Sequence, residues 1–253
     1  MKKILLLGEH CLDIYHYGKC NRLNPEAPVQ ILDQESEKRL EGMSSNVKNN
    51  LISFEFKVDH FKNKEHLEKH RLIDTTYKQH LIRYDIGDLP VREFNLDNLK
   101  DTYDYVVISD YNKGFITPSV ADYICKKYKD IPVFVDSKKT DLSCFSNCII
   151  KINKTEFNNL KDKNTKGNKL IVTLGEEGAQ YEGKLYKTKK VEVYDVCGAG
   201  DVFLSSIVFG FAKYGSIERS IELANIFASF SVNKLGTYVL SKGDIKQLQY
   251  ESL

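Results

Sequence analysis

The chain is poor in the features that mark several large protein classes. Five prolines and fifteen glycines in 253 residues exclude collagen-like repeats and proline-rich disorder. No apolar run approaches the roughly 20 residues that a bilayer span requires, and the mean hydropathy is -0.40. The longest candidate, Val202–Phe211, is broken by Ser205, Ser206 and Gly210 and reads as a buried helix. Neither sign of charge dominates: 37 Lys and Arg against 35 Asp and Glu give a formal net charge of +2. That balance predicts no nucleic-acid partner and no membrane-surface partner. Six cysteines are too few for a disulfide framework in a chain of this length. Cys144 and Cys148 have loose metal-like spacing, but no His or second Cys pair lies near them to complete four ligands. The cysteines read as reduced thiols of a cytoplasmic protein, and the six histidines are scattered. Two lysines precede the apolar Ile4–Leu7, but the run is too short for a signal peptide and ends at Gly8-Glu9-His10 with no small-residue cleavage site. A buried first strand is predicted there. The G-x-x-x-x-G-K-[ST] phosphate loop is absent, which excludes a Walker-type enzyme.

What the sequence does hold is a series of short β-rich runs: Ile4–Leu7, Tyr105–Ile108, Val133–Val135, Ile149–Ile152, Leu170–Leu174 and Val191–Val196. Near-continuous hydrophobicity without alternation predicts strands buried on both faces, as in a parallel sheet covered by helices. Thr117 is a good N-cap, Pro118 fits the first helical position, and Val120 with Ile124 begins an apolar face, so 105–136 reads as a βαβ unit. Asp201–Tyr214 is apolar nearly all round and reads as a buried helix. Gly215-Ser216 breaks it, and a second helix is predicted from Ile217 to about Leu235, stopping at Gly236. Residues 14–35 and 78–93 mix Tyr, Val, Ile and Arg with turn residues such as Asn24-Pro25 and Gly87-Asp88, and are predicted to form antiparallel strands outside the main sheet. Lys57–Arg71 reads as a solvated connector or helix. With no repeat or low-complexity linker, residues 1–253 are expected to form one domain with an excursion.

The strongest chemical signal is Asp195-Val196-Cys197-Gly198-Ala199-Gly200-Asp201, a small-residue turn that opens the buried helix. Backbone N–H groups at a helix start point outward and the helix dipole favours an anion there. Gly198 and Gly200 permit close approach of phosphate to backbone. A carboxylate at that mouth repels phosphate unless it does chemistry, and Asp201 is suited to take the proton from an attacking hydroxyl. The same Asp also suits a helix cap. The string alone leaves both readings open.

This string resembles the D-x-x-G-A-G-D signature of the ribokinase-like (PfkB) carbohydrate kinases, and Asn153-Lys154-Thr155-Glu156 resembles their N-x-x-E motif. Leu12-Asp13, Tyr17-Gly18 and Arg22–Val29 are similar to the opening of the D-glycero-D-manno-heptose 7-phosphate kinases. So are Leu81–Asp85, Ser109–Gly114 and Lys234–Thr237. The resemblance runs in order from about residue 4 to 241. It implies a three-layer α/β/α sandwich with a small antiparallel β lid, and a homodimer formed through that lid. It implies transfer of the ATP γ-phosphate to the C1 hydroxyl of a heptose 7-phosphate, with Asp201 as base and the amides of Gly198, Ala199 and Gly200 as anion hole. Asn153 and Glu156 would place Mg²⁺. Sugar contacts are expected from Asp13, Gly42, Asn46 and Asp110, and cations for the 7-phosphate from Arg71, Arg83 and Lys113. Thr173, Gly175, Gly178 and Asn225 fall where the family holds adenine and ribose.

Departures accompany the resemblance. Glu9 stands where the family has an Asp that touches sugar, Glu41 replaces one glycine of a pair, and Ser44-Ser45-Asn46 replaces Ala-Ala-Asn. Two stretches are trimmed: about 52–70, where a strand–helix excursion is expected, and about 160–169, where a helix should precede the Leu170 strand. No nucleotidyltransferase signature follows the kinase-like part, so the kinase function alone is expected. A kinase of another sugar or sugar phosphate, and a silent sugar- or nucleotide-binding homologue, are the alternatives.

Overall fold

The unbroken apolar runs become the middle of one large sheet in the computed structural model, which describes residues 1–87, 90–99, 102–163, 165, 167–234 and 236–250. Lys3–Gly8 (β1), Lys57–Phe61 (β4), Tyr105–Asp110 (β7), Val133–Ser137 (β8), Ile149–Asn153 (β9) and Lys169–Thr173 (β10) pair in parallel. Ala179–Tyr181 (β11) and Lys184–Tyr186 (β12) extend one edge antiparallel. The order is β12-β11-β10-β9-β8-β7-β1-β4. Successive side chains point to opposite faces: Ile4 and Leu6 enter one apolar core while Leu5 and Leu7 enter another. Burial on both sides explains the lack of alternation.

One face is covered by Ser44–Ser53 (α1), Ala199–Tyr214 (α4), Ile217–Ser231 (α5) and Lys242–Tyr250 (α6). Close packing of α4 on α5 depends on a missing side chain, since a Cβ at Gly210 would stand 2.7 Å from Ser220 Cα. The opposite face carries Pro118–Lys127 (α2), with the short Lys154–Asn158 (α3) on that side of the chain path. As the sequence predicts, Thr117 caps α2, its hydroxyl accepting from Val120 N–H. Much of the remaining cover on this face comes from loop side chains, including Phe94, Leu99, Tyr103, Phe115, Leu142 and Phe145.

A second sheet of order β3-β2-β5-β6 stands apart, built from His10–Leu23 (β2), Gln30–Met43 (β3), Glu68–Asp74 (β5) and Gln79–Ile86 (β6). It corrects the expected antiparallel lid, because β2 and β5 pair in parallel. It also corrects the connector reading of Lys57–Arg71, which supplies β4 to the main sheet and the start of β5 to the lid. His, Lys and Glu mask these strands in the sequence, since each presents only one face to apolar neighbours. No strand follows Ile86 among the described residues of 78–93, and Asp88 lies outside them. Val191–Val196, expected as a strand, is an extended segment without ladder pairing. Helix α5 ends at Ser231, short of the expected 235, and Leu235 lies outside the described residues. The described residues of 62–67 and 159–168 contain no helix, in line with the two trimmed stretches. Among the described residues no helix is long and apolar enough to cross a membrane.

Candidate active site

Helix α4 begins at Gly198, whose φ of 79° lies in the left-handed region, where a side chain is strained. A Cβ there would also stand 2.7 Å from Asn46 Nδ2. This turn is tied down by the buried Asp195, which accepts from Cys197 N–H at 2.9 Å and Gly236 N–H at 2.9 Å. The N-cap of α4 is Gly198, and Asp201 lies in the first turn beyond it. Its carboxylate accepts from Asn46 Nδ2 at 3.1 Å and from the Tyr111 hydroxyl at 2.9 Å. Asp201 is 4% exposed. Burial, followed by the nearby charge of Asp136, pushes its pKa up to about 6, while Asn46, Tyr111 and Lys151 pull the other way. A carboxylate desolvated but still ionised near neutrality is matched to proton abstraction.

Beside this group lies a cleft of about 440 Å³ lined by Tyr111, Asp136, Lys138, Lys151, Asn153, Gly198, Gly200 and Asp201. It adjoins a more apolar cavity of about 220 Å³, with Thr173, Gly175 and Gly200 in both walls. Gly178 and Asn225 line that cavity with Val191, Val193, Phe203 and Val232. Asn225 donates to Tyr186 O at 2.7 Å, fixing α5 against β12.

Asn153 and Glu156 form a reciprocal capping box at α3: the Asn153 side chain accepts from Glu156 N–H at 2.8 Å, and Glu156 accepts from Asn153 N–H at 2.7 Å. The other Glu156 oxygen is 3.0 Å from Lys138 Nζ. Among the described residues no group of three His, Cys, Asp or Glu is placed to ring a metal. Buried Asp136 Oδ1 has no hydrogen-bond partner. That donor set fits a hydrated cation held through water and phosphate oxygens rather than a protein cage.

On the lid side, Asp13 and Arg71 form a buried pair at 2.5 Å. Gly42 makes room for it, since a Cβ there would lie 2.1 Å from Asp13 Oδ2. The Arg71 charge is thus partly spent within the protein. Arg83 lies on the same lid face, exposed and paired with Asp85 at 2.6 Å. Lys113 sits in the loop after β7, with its N–H donating to Glu9. Asp110 departs from the expected sugar contact. It is 1% exposed, accepting from Ser137 Oγ at 2.6 Å and pairing with Lys139 at 3.0 Å, so its carboxylate is spent within the protein and does not line the cleft.

Glu9 is also withdrawn. It is fully buried and accepts from the N–H groups of Tyr111, Lys113 and Phe115 at 2.8, 3.1 and 3.3 Å. The extra methylene lets it pin the loop that carries Tyr111. Burial, and secondarily Asp110, raises its pKa above the ordinary carboxylate range. Glu41 is exposed at the lid edge, beside Asn49 and Lys62. Sequence reasoning missed Tyr111, Asp136 and Lys151. The available signal was Lys151 itself, a charge inside the apolar strand Ile149–Ile152. The hydroxyls of Tyr15 and Thr237 are buried without partners, and Thr237 abuts Gly198.

Residues 123–242 match the pfkB family carbohydrate kinase model. That match covers slightly under half of the chain, and the fold as a whole is ribokinase-like. It is 32% identical to the bifunctional protein HldE of Campylobacter jejuni strain RM1221, over 98% of this chain and 64% of that protein. It is 30% identical to the bifunctional protein HldE of a Nitratiruptor species, over 98% of this chain and 65% of that one. The chain therefore spans slightly less than two-thirds of these relatives. Among solved structures, Escherichia coli phosphofructokinase-2 in complex with potassium superposes with a TM-score of 0.76 at 16% identity, covering 100% of both chains. Thermotoga maritima ribokinase gives 0.73 at 16% identity, covering 99% of this chain and 100% of that one.

Proposed function

We propose that the chain phosphorylates D-glycero-D-manno-heptose 7-phosphate at its C1 hydroxyl, using magnesium-bound ATP. The observation that carries this reading is Asp201, buried, raised in pKa and held by Asn46 and Tyr111 at the glycine-opened mouth of α4. The apolar cavity takes adenine and ribose, and the polar cleft takes the triphosphate. Asp201 accepts the C1 hydroxyl proton as that oxygen attacks the γ-phosphorus; the bond to the β-phosphate oxygen breaks and ADP leaves. The amides of Gly198, Ala199 and Gly200 stabilise charge on the moving phosphoryl group. Glu156 and Asp136 would hold magnesium through water, where it neutralises phosphate charge. The heptose assignment rests on the ordered resemblance along the chain and on the HldE relatives.

Asp13, Gly42, Asn46 and the unpartnered hydroxyls of Tyr15 and Thr237 are assigned to the sugar, and Arg83 and Lys113 to its phosphate, with Arg71 oriented by Asp13. The exposed Ile82, Tyr84 and Ile86 on the lid support pairing with the lid of a second copy. A second reading, another sugar phosphate as acceptor, is favoured by the withdrawal of Glu9 from the pocket. A coupled ADP-release assay over a panel of sugars and sugar phosphates decides between them. Turnover is expected on the heptose 7-phosphate, and faster turnover on a different sugar phosphate would replace it. Nucleotide binding with no turnover on any sugar would leave a silent binding protein.

A further inference from the structure

Cys125 and Cys148 are 23 positions apart in the chain, yet their sulfurs stand 3.4 Å from each other. Both are buried among the apolar side chains of the face that α2 and loop residues cover. A buried cysteine ordinarily acts as a small apolar side chain, and filling space needs no second sulfur at hydrogen-bond distance.

The backbone fixes the two sulfurs from opposite sides. Cys125 stands on α2, whose start is held by the Thr117 cap. Cys148 is the last residue before β9, and the chain reaches it through Asn147, whose φ of 57° lies in the left-handed region that Asn tolerates. Cys148 N–H donates to the Asn168 side chain at 2.8 Å, and that side chain donates to Phe145 O at 2.9 Å. Helix and turn are thus anchored separately, with the thiols between them.

Within such a pair the S–H of one thiol donates to the other sulfur, so one partner loses its proton more readily. The pKa of Cys125 is pushed down to about 7, first by the Cys148 hydrogen bond and against burial, and the same bond pushes the Cys148 thiol up. Burial instead pushes the Cys11 thiol up to about 12, and those of Cys144 and Cys197 up to about 11. The thiolate is the reactive form of cysteine. A cavity of about 240 Å³ with Asn147, Cys148, Lys129 and Lys169 in its wall gives access to a small neutral oxidant, since a water occupies only about 30 Å³.

We propose that Cys125 and Cys148 form a redox-active thiol pair, which hydrogen peroxide converts into a disulfide stapling α2 to the start of β9. The Cys125 thiolate attacks one peroxide oxygen, the O–O bond breaks, and the departing hydroxide takes up a proton as water, leaving a sulfenic acid. The Cys148 sulfur then attacks the sulfenic sulfur, its proton passes to the leaving hydroxyl, the S–O bond breaks and a second water departs. Two thiols lose two electrons and one peroxide is reduced to two waters. The bridge closes the segment that carries β8 and restricts the unfolded chain.

The test treats the purified protein with a small excess of hydrogen peroxide, unfolds it in urea with iodoacetamide, and maps the digested peptides by mass spectrometry without reductant. The Cys125 and Cys148 peptides should appear joined, two hydrogens lighter than the free pair, and should part on adding dithiothreitol. The melting temperature of the oxidised protein should rise by about 5 °C and return on reduction. In Cys148→Ser, peroxide should leave Cys125 as a sulfenic acid that dimedone traps, with no gain in melting temperature. Cys144→Ser should form the bridge as the unaltered protein does. Recovery of both thiols alkylated after peroxide, or a bridge from Cys148 to Cys144 instead, would overturn the assignment and reduce the pair to core packing.

Discussion

The two faces of the large sheet are built differently. Four helices, α1, α4, α5 and α6, cover one face, and two of them carry Asn46 and Asp201. The other is covered by α2 and by loop aromatics such as Phe94, Phe115 and Phe145. The alignment to the Nitratiruptor relative spans 302 positions against a chain of 253, so the chain is gapped relative to it. The helix-free segments 62–67 and 159–163 are where the structure is shortest of helix. Among the described residues these two segments are connections, whereas the proposed base and its amide partner stand on helices α4 and α1. The contrast separates scaffold that can be replaced by packed loop side chains from scaffold that sets atomic positions.

The sharpest way to break this comparison is at Asp201. Asp201→Asn should lower kcat about a thousandfold, the scale of a lost general base, with circular dichroism unchanged. In the intact enzyme the rate should fall as pH drops through about 6, because the protonated carboxyl can no longer accept the sugar proton. The linkage to stability has the opposite sense. A carboxyl whose pKa is raised in the folded state binds more protons folded than unfolded, so its contribution weakens as pH rises from the ordinary range of about 4 through about 6. Asp201→Asn should accordingly gain of order 2 kcal/mol in urea unfolding at pH 8.

Next come the two cores. Phe227, fully buried on α5 and stacked near Phe54 and Phe209, should cost about 4 kcal/mol on truncation to Ala. Phe145, equally buried but on a loop, should cost about 3 kcal/mol, since a loop collapses more readily into the space left. Equal costs in chemical denaturation would show that the loop-covered face is as rigid as the helical one. Gly200→Ala should lower kcat about tenfold through crowding of the anion hole, while leaving the melting temperature unchanged or higher, as Ala favours helix. The smallest effect belongs to the cap: Asn153→Ala should lose about 1 kcal/mol of stability.

Much of the local geometry of the candidate site was legible because its residues are neighbours in sequence. The string from Asp195 to Asp201 holds the turn, its anchor and the acid, and Asn153 with Glu156 encloses one helical turn. The cap at Thr117 and the break at Gly215 were readable for the same reason. Tyr111 and Asp136 were not, because their proximity to Asp201 comes from strand order in the sheet. Asp110 was misplaced because the motif marks its position but not that Ser137 and Lys139 consume its carboxylate. Glu9 reads as a sugar contact until three N–H groups of a distant loop are seen to claim it. The lid strand β5 escaped detection because Glu68, Lys69, His70 and Arg71 are polar on both sheet faces, with His70 meeting His16 and Tyr84 and Arg71 meeting Asp13 rather than an apolar core.

The junction between β1 and β2 has a mechanical consequence. The strand from the kinase core ends at Gly8, and the lid begins at His10, so a single residue joins them. That residue is Glu9, bolted to the loop that carries Tyr111. Glu9 therefore belongs to three parts at once: it follows the last residue of the core strand, precedes the first residue of the lid, and through its carboxylate fixes the loop whose Tyr111 hydroxyl donates to Asp201.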